Sequence, residues 1–375
     1  MRVLHVYKTF YPDSQGGAEE VIRQLSKGCM AGGVEVRVLV ASPNVQKVTT
    51  CTFEDIEVIQ VPSVFEFAST PFFFKGIGEF KKHAAWADIL HYHYPYPFAD
   101  FLHWLLPADI RAQTKTVVSY HSDIVKQQNL LAVYRPLMNW FLNKADAIIA
   151  STPVYAASSQ TLKDYQHKTH IIPYGLDEGT LPKINKNNMT QWQDKLGDGF
   201  FLFIGVLRNY KGLKYLLDAT KGQDFKAVIA GNGPERENLL AYQQQNNIDN
   251  VTFINNINET DKVSLLNLCK AFVLPSHLRS EAFGLVLLEA MMFKRPLVCC
   301  ALGSGMEYIN QDGVTGHVVK PADAMSLRDA ILSLKKNPDT VHEMGMAARH
   351  RYEDLFGHEK MIGKIMALYH DLINS

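Results

Sequence analysis

The sequence predicts an α/β protein made of two Rossmann-like domains, each built on a parallel sheet. Three observations carry this. The chain has 375 residues, beyond the size at which one hydrophobic core usually keeps growing. Short β-rich runs alternate with longer helical patterns, the signature of βαβ units. The runs also fall into two sets divided by a polar stretch, and with 47% hydrophobic and 20% charged residues there is apolar material for two cores.

In the first set, Val3–Tyr7, Val34–Ala41, Ile56–Val61, Ile89–Tyr92, Thr116–Tyr120, Ala147–Ala150 and His170–Ile172 read as strands. The break follows Pro173–Asp177, where the Lys- and Asn-containing stretch Leu181–Asn188 reads as a linker. In the second set, Phe200–Gly205, Phe225–Ala230, Val251–Ile254, Ala271–Pro275 and Pro296–Cys300 read the same way. Met361, Ile362, Ile365, Leu368, Tyr369 and Leu372 recur at helical spacing, so Glu359–Ile373 reads as an amphipathic terminal helix. The expected domains are 1–177 and 178–357, with the helix of 358–375 packing back on the first.

Composition excludes several classes. Lys+Arg 38 balances Asp+Glu 38, so the chain has no overall electrostatic footprint for nucleic acid. The opening run MRVLHVYKTF is too interrupted by polar residues for a signal-peptide core. No window reaches the roughly 18 apolar residues of a spanning helix. The five cysteines show neither CxxC spacing nor a nearby His pair, which predicts no zinc site and no disulfide framework. The expected location is the cytoplasm.

The sharpest motif is Ser280–Glu289, where Glu281 and Glu289 lie eight positions apart at a strand-loop-helix junction. Eight positions make about two helical turns, so Glu281 would precede the helix and Glu289 lie near the same face. Unpaired amides from about Phe283 to Val286 would point outward beside Glu281, suiting phosphate or sugar hydroxyls. An isolated pair of this kind is more often a cap and a surface glutamate; the surrounding motifs argue for a site. In Gly205–Gly212 a strand ends in a turn bearing Arg208 and Lys211, two cations able to neutralise a diphosphate at the carboxyl end of a sheet. Alone they would more often be solvated loop charges. Gly16, Gly17, Ala18 and Glu19 open a helix with small residues and free amides, yet lack the G-x-G-x-x-G spacing of a dinucleotide-binding oxidoreductase.

Taken in order, GGAE (Gly16–Glu19), HSD (His121–Asp123), PYGLD (Pro173–Asp177), GVLRNYKG (Gly205–Gly212), GNGP (Gly231–Pro234), the glutamate pair and GSGMEYI (Gly303–Ile309) resemble the GT-B retaining glycosyltransferases of family 4. That group contains the phosphatidylinositol and bacterial O-antigen mannosyltransferases. The resemblance covers nearly the whole chain and implies two Rossmann-like domains facing across a cleft. It implies that Gly17 meets the distal phosphate, that Arg208 and Lys211 bind the diphosphate, and that Glu281 holds the transferred sugar and Glu289 the ribose. It further implies that the amides of Phe283, Gly284 and Leu285 line sugar and phosphate, that Ile257 and Lys262 wall the base pocket, and that His121 lies beside the sugar's C6 hydroxyl as an orienting group. Val206 stands where the family usually has arginine, so Arg208, two residues along, would substitute.

The chemistry develops negative charge on the departing diphosphate, and losing one preorganised donor to such charge typically costs about 2.7–4 kcal/mol. No Asp-x-Asp element is present, which favours catalysis without a metal or other cofactor. The acceptor is expected on the aromatic first domain, with Asp13 and Tyr94 as contacts and Tyr92, Tyr96 and Phe98 nearby. Pro71–Ala87, with Lys75, Lys81 and Lys82 near Phe72–Phe74, could be an interfacial helix touching anionic lipid, or one packed on its own domain. His121–Gln127 (HSDIVKQ) and Ser276–Gly284 (SHLRSEAFG) resemble the O-antigen mannosyltransferases in particular. The resemblance thus implies GDP-mannose as donor, a polyprenyl-diphosphate-linked glycan as acceptor, and peripheral contact with the cytoplasmic face of the inner membrane. The alternatives are a UDP-sugar donor, a non-catalytic scaffold subunit, or a pyridoxal-phosphate-dependent phosphorylase on a related fold.

Overall fold

A computed structural model describes residues 1–67, 70–124 and 128–375. The chain forms two compact units, Met1–Gly175 with His358–Ser375, and Leu176–Gly357.

The first unit holds β1 (Arg2–Tyr7), β2 (Glu35–Ser42), β3 (Thr49–Phe53), β4 (Ile56–Pro62), β5 (Phe65–Phe67), β6 (Thr70–Phe72), β7 (Ile89–Tyr94), β8 (Lys115–Tyr120), β9 (Ala147–Ala150) and β10 (Thr169–Ile171). Eight of these form one sheet in the order β10-β9-β8-β7-β1-β2-β4-β3, parallel except at β3, while β5 and β6 make a separate antiparallel ribbon. The central strands β1, β7 and β8 are buried almost end to end because helices cover both faces of a parallel sheet. Helix Gly17–Ala31 buries Val21, Ile22, Leu25 and Cys29. The C-terminal helix, His358–Asn374, buries Met361, Ile365, Leu368 and Tyr369. Gly28 lets the two come close, since a Cβ there would lie 2.3 Å from Ile362 Cγ1.

The interfacial helix considered for Pro71–Ala87 takes a different form. Pro71 and Phe72 belong to β6, and the helix is only Ile77–Trp86, with Phe80, His83 and Ala84 buried against its own unit. Gly76 sets its start, because any side chain would meet Val61 Cγ1 at 2.0 Å. The apolar surface lies instead on the ribbon and just after it, where Phe65 and Phe67 of β5 and Phe74 beyond β6 are exposed. Among the described residues no helix is long and apolar enough to cross a membrane.

The second unit contains β11 (Phe201–Ile204), β12 (Ala227–Ala230), β13 (Val251–Ile254), β14 (Ala271–Leu274), β15 (Leu297–Cys300) and β16 (Gly316–Val319). Their order, β13-β12-β11-β14-β15-β16, is that of a doubly wound dinucleotide-type sheet, with chain direction across the sheet reversing between β11 and β14. The stretch read as a linker is ordered. Helix Lys186–Leu196 packs on its unit through Asn188 Nδ2 and Trp192 Nε1, each donating at 2.9 Å to Asp261 Oδ1.

Candidate active site

In a doubly wound sheet, ligands bind outside the carboxyl ends of the strands at the switch point, here the loops leaving β11 and β14. Gly212 holds these loops together. Its φ is +67°, and a Cβ would lie 2.1 Å from the Pro275 carbonyl oxygen, so only glycine permits the contact. The His277 amide donates to the Tyr210 carbonyl at 2.9 Å across the same seam.

The two loops bring Lys211 and Glu281 together. Lys211 Nζ donates to Glu281 Oε2 at 2.5 Å, and Ser276 Oγ donates to the same oxygen at 2.9 Å. All three residues are buried. Burial alone would lower the Lys211 pKa, but the Glu281 charge and hydrogen bond outweigh it and the pKa is raised. The ammonium therefore stays charged, and its remaining N–H groups can serve an anion. Arg208, exposed on the same turn, is close enough to oppose protonation of Lys211. Two fixed positive charges thus share one strand exit, while Val206 is an exposed apolar residue.

Gly284 caps helix Leu285–Met292 in a left-handed conformation, φ +89°, turning the chain sharply after buried Phe283. The amides of Leu285 and Val286 at the start of this helix lack intrahelical acceptors by geometry, while the Leu287 amide donates to the Gly284 carbonyl at 2.9 Å. Glu289 lies in its second turn and accepts from Lys262 Nζ at 2.8 Å. Lys262 also pairs with Glu259 at 2.7 Å. Burial works against the Lys262 charge, but these two carboxylates prevail and its pKa is raised. Ile257 is half-buried just before this helix, Glu259–Leu268, where an Asn258–Asp261 capping box fixes the start. The GSGMEYI motif supports the glutamate loop from behind: Arg279 Nη1 donates to the Gly303 carbonyl at 2.9 Å, and the Gly305 amide donates to the Ala282 carbonyl at 2.7 Å.

In the first unit, Gly17 begins its helix exposed, with its amide ahead of the first intrahelical bond, Glu20 N to Gly16 O. Glu19 anchors the preceding loop by accepting from Thr9 Oγ1 and Ser14 Oγ at 2.7 and 2.9 Å. Asp13, expected to meet the acceptor, is committed within its own unit. Its carboxylate accepts from Ser42 Oγ at 2.5 Å and from Gln60 Nε2 and Asn44 Nδ2 at 3.0 Å, tying the loop to β2 and β4.

Tyr94 requires a correction as an acceptor contact. It is 1% exposed and stacks on Tyr120 at 4.7 Å, because alternation along β7 turns Tyr92 and Tyr94 to one face and His91 and His93 to the other. Tyr92, Tyr96 and Phe98 are buried too. His121 follows β8 half-buried, with Nε2 2.9 Å from His93 Nδ1 and Nδ1 2.7 Å from the Tyr174 hydroxyl. Val125–Gln127 of the HSDIVKQ segment lie outside the described residues. Sequence reasoning assigned no role to Ser276, His93 or Tyr174. Ser276 stands at the strand exit five residues before Glu281, a position that carries no pattern of its own.

A sheet of this order, with a buried lysine-glutamate pair at its switch point, in a chain carrying a second Rossmann-like unit, fits a GT-B glycosyltransferase. Known proteins agree. The "Glycosyltransferase Family 4" model matches residues 15–179, and "Glycosyl transferases group 1" matches residues 185–351. The chain is 45% identical to the O-antigen chain mannosyltransferase C of Escherichia coli over the full length of both. It is 42% identical to the D-rhamnosyltransferase WbpZ of Pseudomonas aeruginosa, covering 95% of this chain and 92% of the relative. The fold is shared with sucrose-phosphate synthase from Thermosynechococcus elongatus, at TM-score 0.80, 21% identity and coverage of 100% and 99%. It is also shared with Anabaena Alr3699/HepE, solved with UDP-glucose, at TM-score 0.78, 18% identity and coverage of 99% and 100%. The chain belongs to the group 1, family 4 glycosyltransferases, enzymes that move a sugar from a nucleotide donor to a glycan acceptor.

Proposed function

We propose that the enzyme transfers mannose, with retention and without a metal, from GDP-mannose to a polyprenyl-diphosphate-linked glycan of the O-antigen type. The observation that carries this reading is the buried cluster of Lys211, Glu281 and Ser276 at the β11/β14 switch point. Both donors of the cluster bind Oε2 of Glu281, which leaves Oε1 to accept from the hydroxyls of the transferred sugar. Lys211, Arg208 and the amides near Gly284 and Leu285 stabilise the diphosphate as it leaves, and the protein supplies this field already oriented. Phe283 shapes the turn that presents those amides. Glu289 receives the ribose and, with Ile257 and Lys262, bounds the base. Gly17 offers its amide to the distal phosphate, and His121 orients the sugar. The likeness to the E. coli mannosyltransferase supports the donor sugar and the acceptor class.

A second donor has its own support in the likeness to a D-rhamnosyltransferase. D-Rhamnose is mannose without the C6 hydroxyl, so the two donors differ at the position expected beside His121. Exposed Phe65, Phe67 and Phe74, with Lys75 next in sequence, support peripheral contact with an anionic membrane on the cytoplasmic side. The test is transfer of label from GDP-mannose, GDP-D-rhamnose and UDP-sugars to a polyprenyl-diphosphate glycan with chelator present. The expected result is chelator-resistant transfer from GDP-mannose; transfer only from a UDP-sugar, or only with added metal, contradicts the proposal.

A further inference from the structure

Three histidines on neighbouring strands lie side by side inside the first unit. The β1–β7 register places His5 opposite His91, and the period of two puts His93 on the same face. The β7–β8 register sets His93 opposite Ser119, two residues before His121. Ring centroids are 5.1 Å apart for His5 and His93 and 5.2 Å for His93 and His121. His5 Nδ1 lies 2.9 Å from His93 Nε2, His93 Nδ1 lies 2.9 Å from His121 Nε2, and His121 Nδ1 lies 2.7 Å from the Tyr174 hydroxyl. A line of hydrogen bonds therefore runs from the centre of the sheet to its carboxyl edge. His91 stacks on His93 at 4.6 Å but is not part of the line, since its nitrogens face Tyr369 at 2.5 Å and Ser119 at 2.7 Å.

Desolvation holds His5, His93 and His121 well below the ordinary histidine pKa, so all three rings are neutral near pH 7. Each then carries one N–H, and the line can run in either of two directions. Running inward, Tyr174 donates to His121 and the last proton falls on His5 Nε2, which is buried and has no partner among the described residues. Running outward, His5 Nδ1–H donates to His93, His93 Nδ1–H donates to His121, and His121 Nδ1–H donates to the Tyr174 oxygen. The group left over at His5 is then a lone pair. An orphaned buried N–H is the rarer defect in folded proteins, and the outward direction avoids it.

We infer that His93, backed by His5, is a positioning residue that holds His121 as its Nδ1–H tautomer, so that this ring meets the donor sugar as a hydrogen-bond donor and not as a base. The inference rests on the proposed place of His121 in the donor site. A sugar hydroxyl that shares or replaces the Tyr174 oxygen finds an N–H already aimed at it. The ring cannot swing to another rotamer without breaking the His93 bond, so orientation and tautomer are fixed together. Carbohydrate recognition at His121 is thus set by a residue that is itself buried.

The test begins with the unmodified protein carrying ring-15N histidine. Long-range 1H–15N spectra distinguish protonated from bare ring nitrogens, and His121→Gln assigns the signals. A protonated His121 Nδ1 is expected; a protonated Nε2 overturns the inference. His93→Phe keeps a ring and removes both bonds. It should mix the His121 tautomers and slow transfer about tenfold to a hundredfold, with the donor KM changed less than about threefold. His93→Gln, which retains a donor and an acceptor, should recover part of the rate. An unchanged rate and tautomer in folded His93→Phe contradicts the inference. An equivalent of zinc retained through dialysis on His5, His91 and His93 contradicts the part given to His5, because a metal-bound His93 Nε2 cannot also accept from His5 Nδ1. If His121→Ala transfers at full rate, it is the site assignment that fails; if His121→Ala is slow and His93→Phe is not, only the present inference fails.

Discussion

Lys211 and Glu281 form a pair whose two functions can be separated. Removing one partner leaves a buried charge uncompensated, which typically costs about 3–5 kcal/mol, so Lys211→Met should lower the thermal midpoint measurably. Combining it with Glu281→Gln removes the stranded charge and should restore most of that stability. Transfer should stay down about a hundredfold or more in the same double variant, because the donor to the departing diphosphate is gone. Recovery of both stability and rate would show that the pair is structural. These two residues were legible in the sequence because each lies in a motif whose spacing marks a strand exit. Ser276 was not, since a serine after a strand carries no pattern until its partner is known. Tyr94 misled for a related reason: alternation says that Tyr92 and Tyr94 share a face of β7, but only the sheet order shows that this face is covered. The anchoring of Asp13 could not be read because its three donors come from β2, β4 and the loop after β2, well away in sequence.

Strands and loops account for two further expectations. His5 of β1, His91 and His93 of β7 and His121 just after β8 are folded in as neutral rings, with His5 and His121 held near pKa 3 and His91 and His93 well below the usual value, by burial first in every instance. An unfolded chain takes up protons on them below about pH 6.5 and the folded chain does not. Their stability contribution is therefore complete above that pH and lost progressively as pH falls toward 3, by up to about 1.4 kcal/mol per histidine per pH unit. Urea unfolding at stepped pH should show this slope, reduced in His5→Phe; a flat profile between pH 6.5 and 4.5 would contradict neutral burial. At the β5–β6 ribbon, replacing Phe65 and Phe67 by serine should reduce cosedimentation with vesicles containing anionic lipid while leaving transfer to a short soluble acceptor unchanged. The ribbon escaped the sequence reading because strands of three residues are too short to show a period. The central strands were readable because burial on both faces of a parallel sheet writes them as continuous apolar runs.

Across the whole molecule, the terminal helix closes the unit where the chain begins. Met361, Ile365 and Leu368 are each worth about 1.5–3 kcal/mol of burial, and together they rival the net stability of a domain. Deleting His358–Ser375 should therefore unfold the first unit, seen as loss of its cooperative thermal transition. The helix itself was legible from its apolar spacing. Its place beside Gly17–Ala31 was written only in Gly28, a residue whose meaning depends on the contact it allows. Family, fold and enzyme class follow from the paired sheets and the relatives, and the donor sugar and the independence from metal can be tested together. The direct measurement is initial-rate transfer from GDP-mannose to a polyprenyl-diphosphate glycan in excess EDTA, with the Lys211→Met/Glu281→Gln protein alongside. Full activity of the unmodified enzyme is expected, with a loss of about a hundredfold or more in the folded variant. A rate that collapses with EDTA and returns with a divalent cation, or a folded variant that transfers normally, would contradict it.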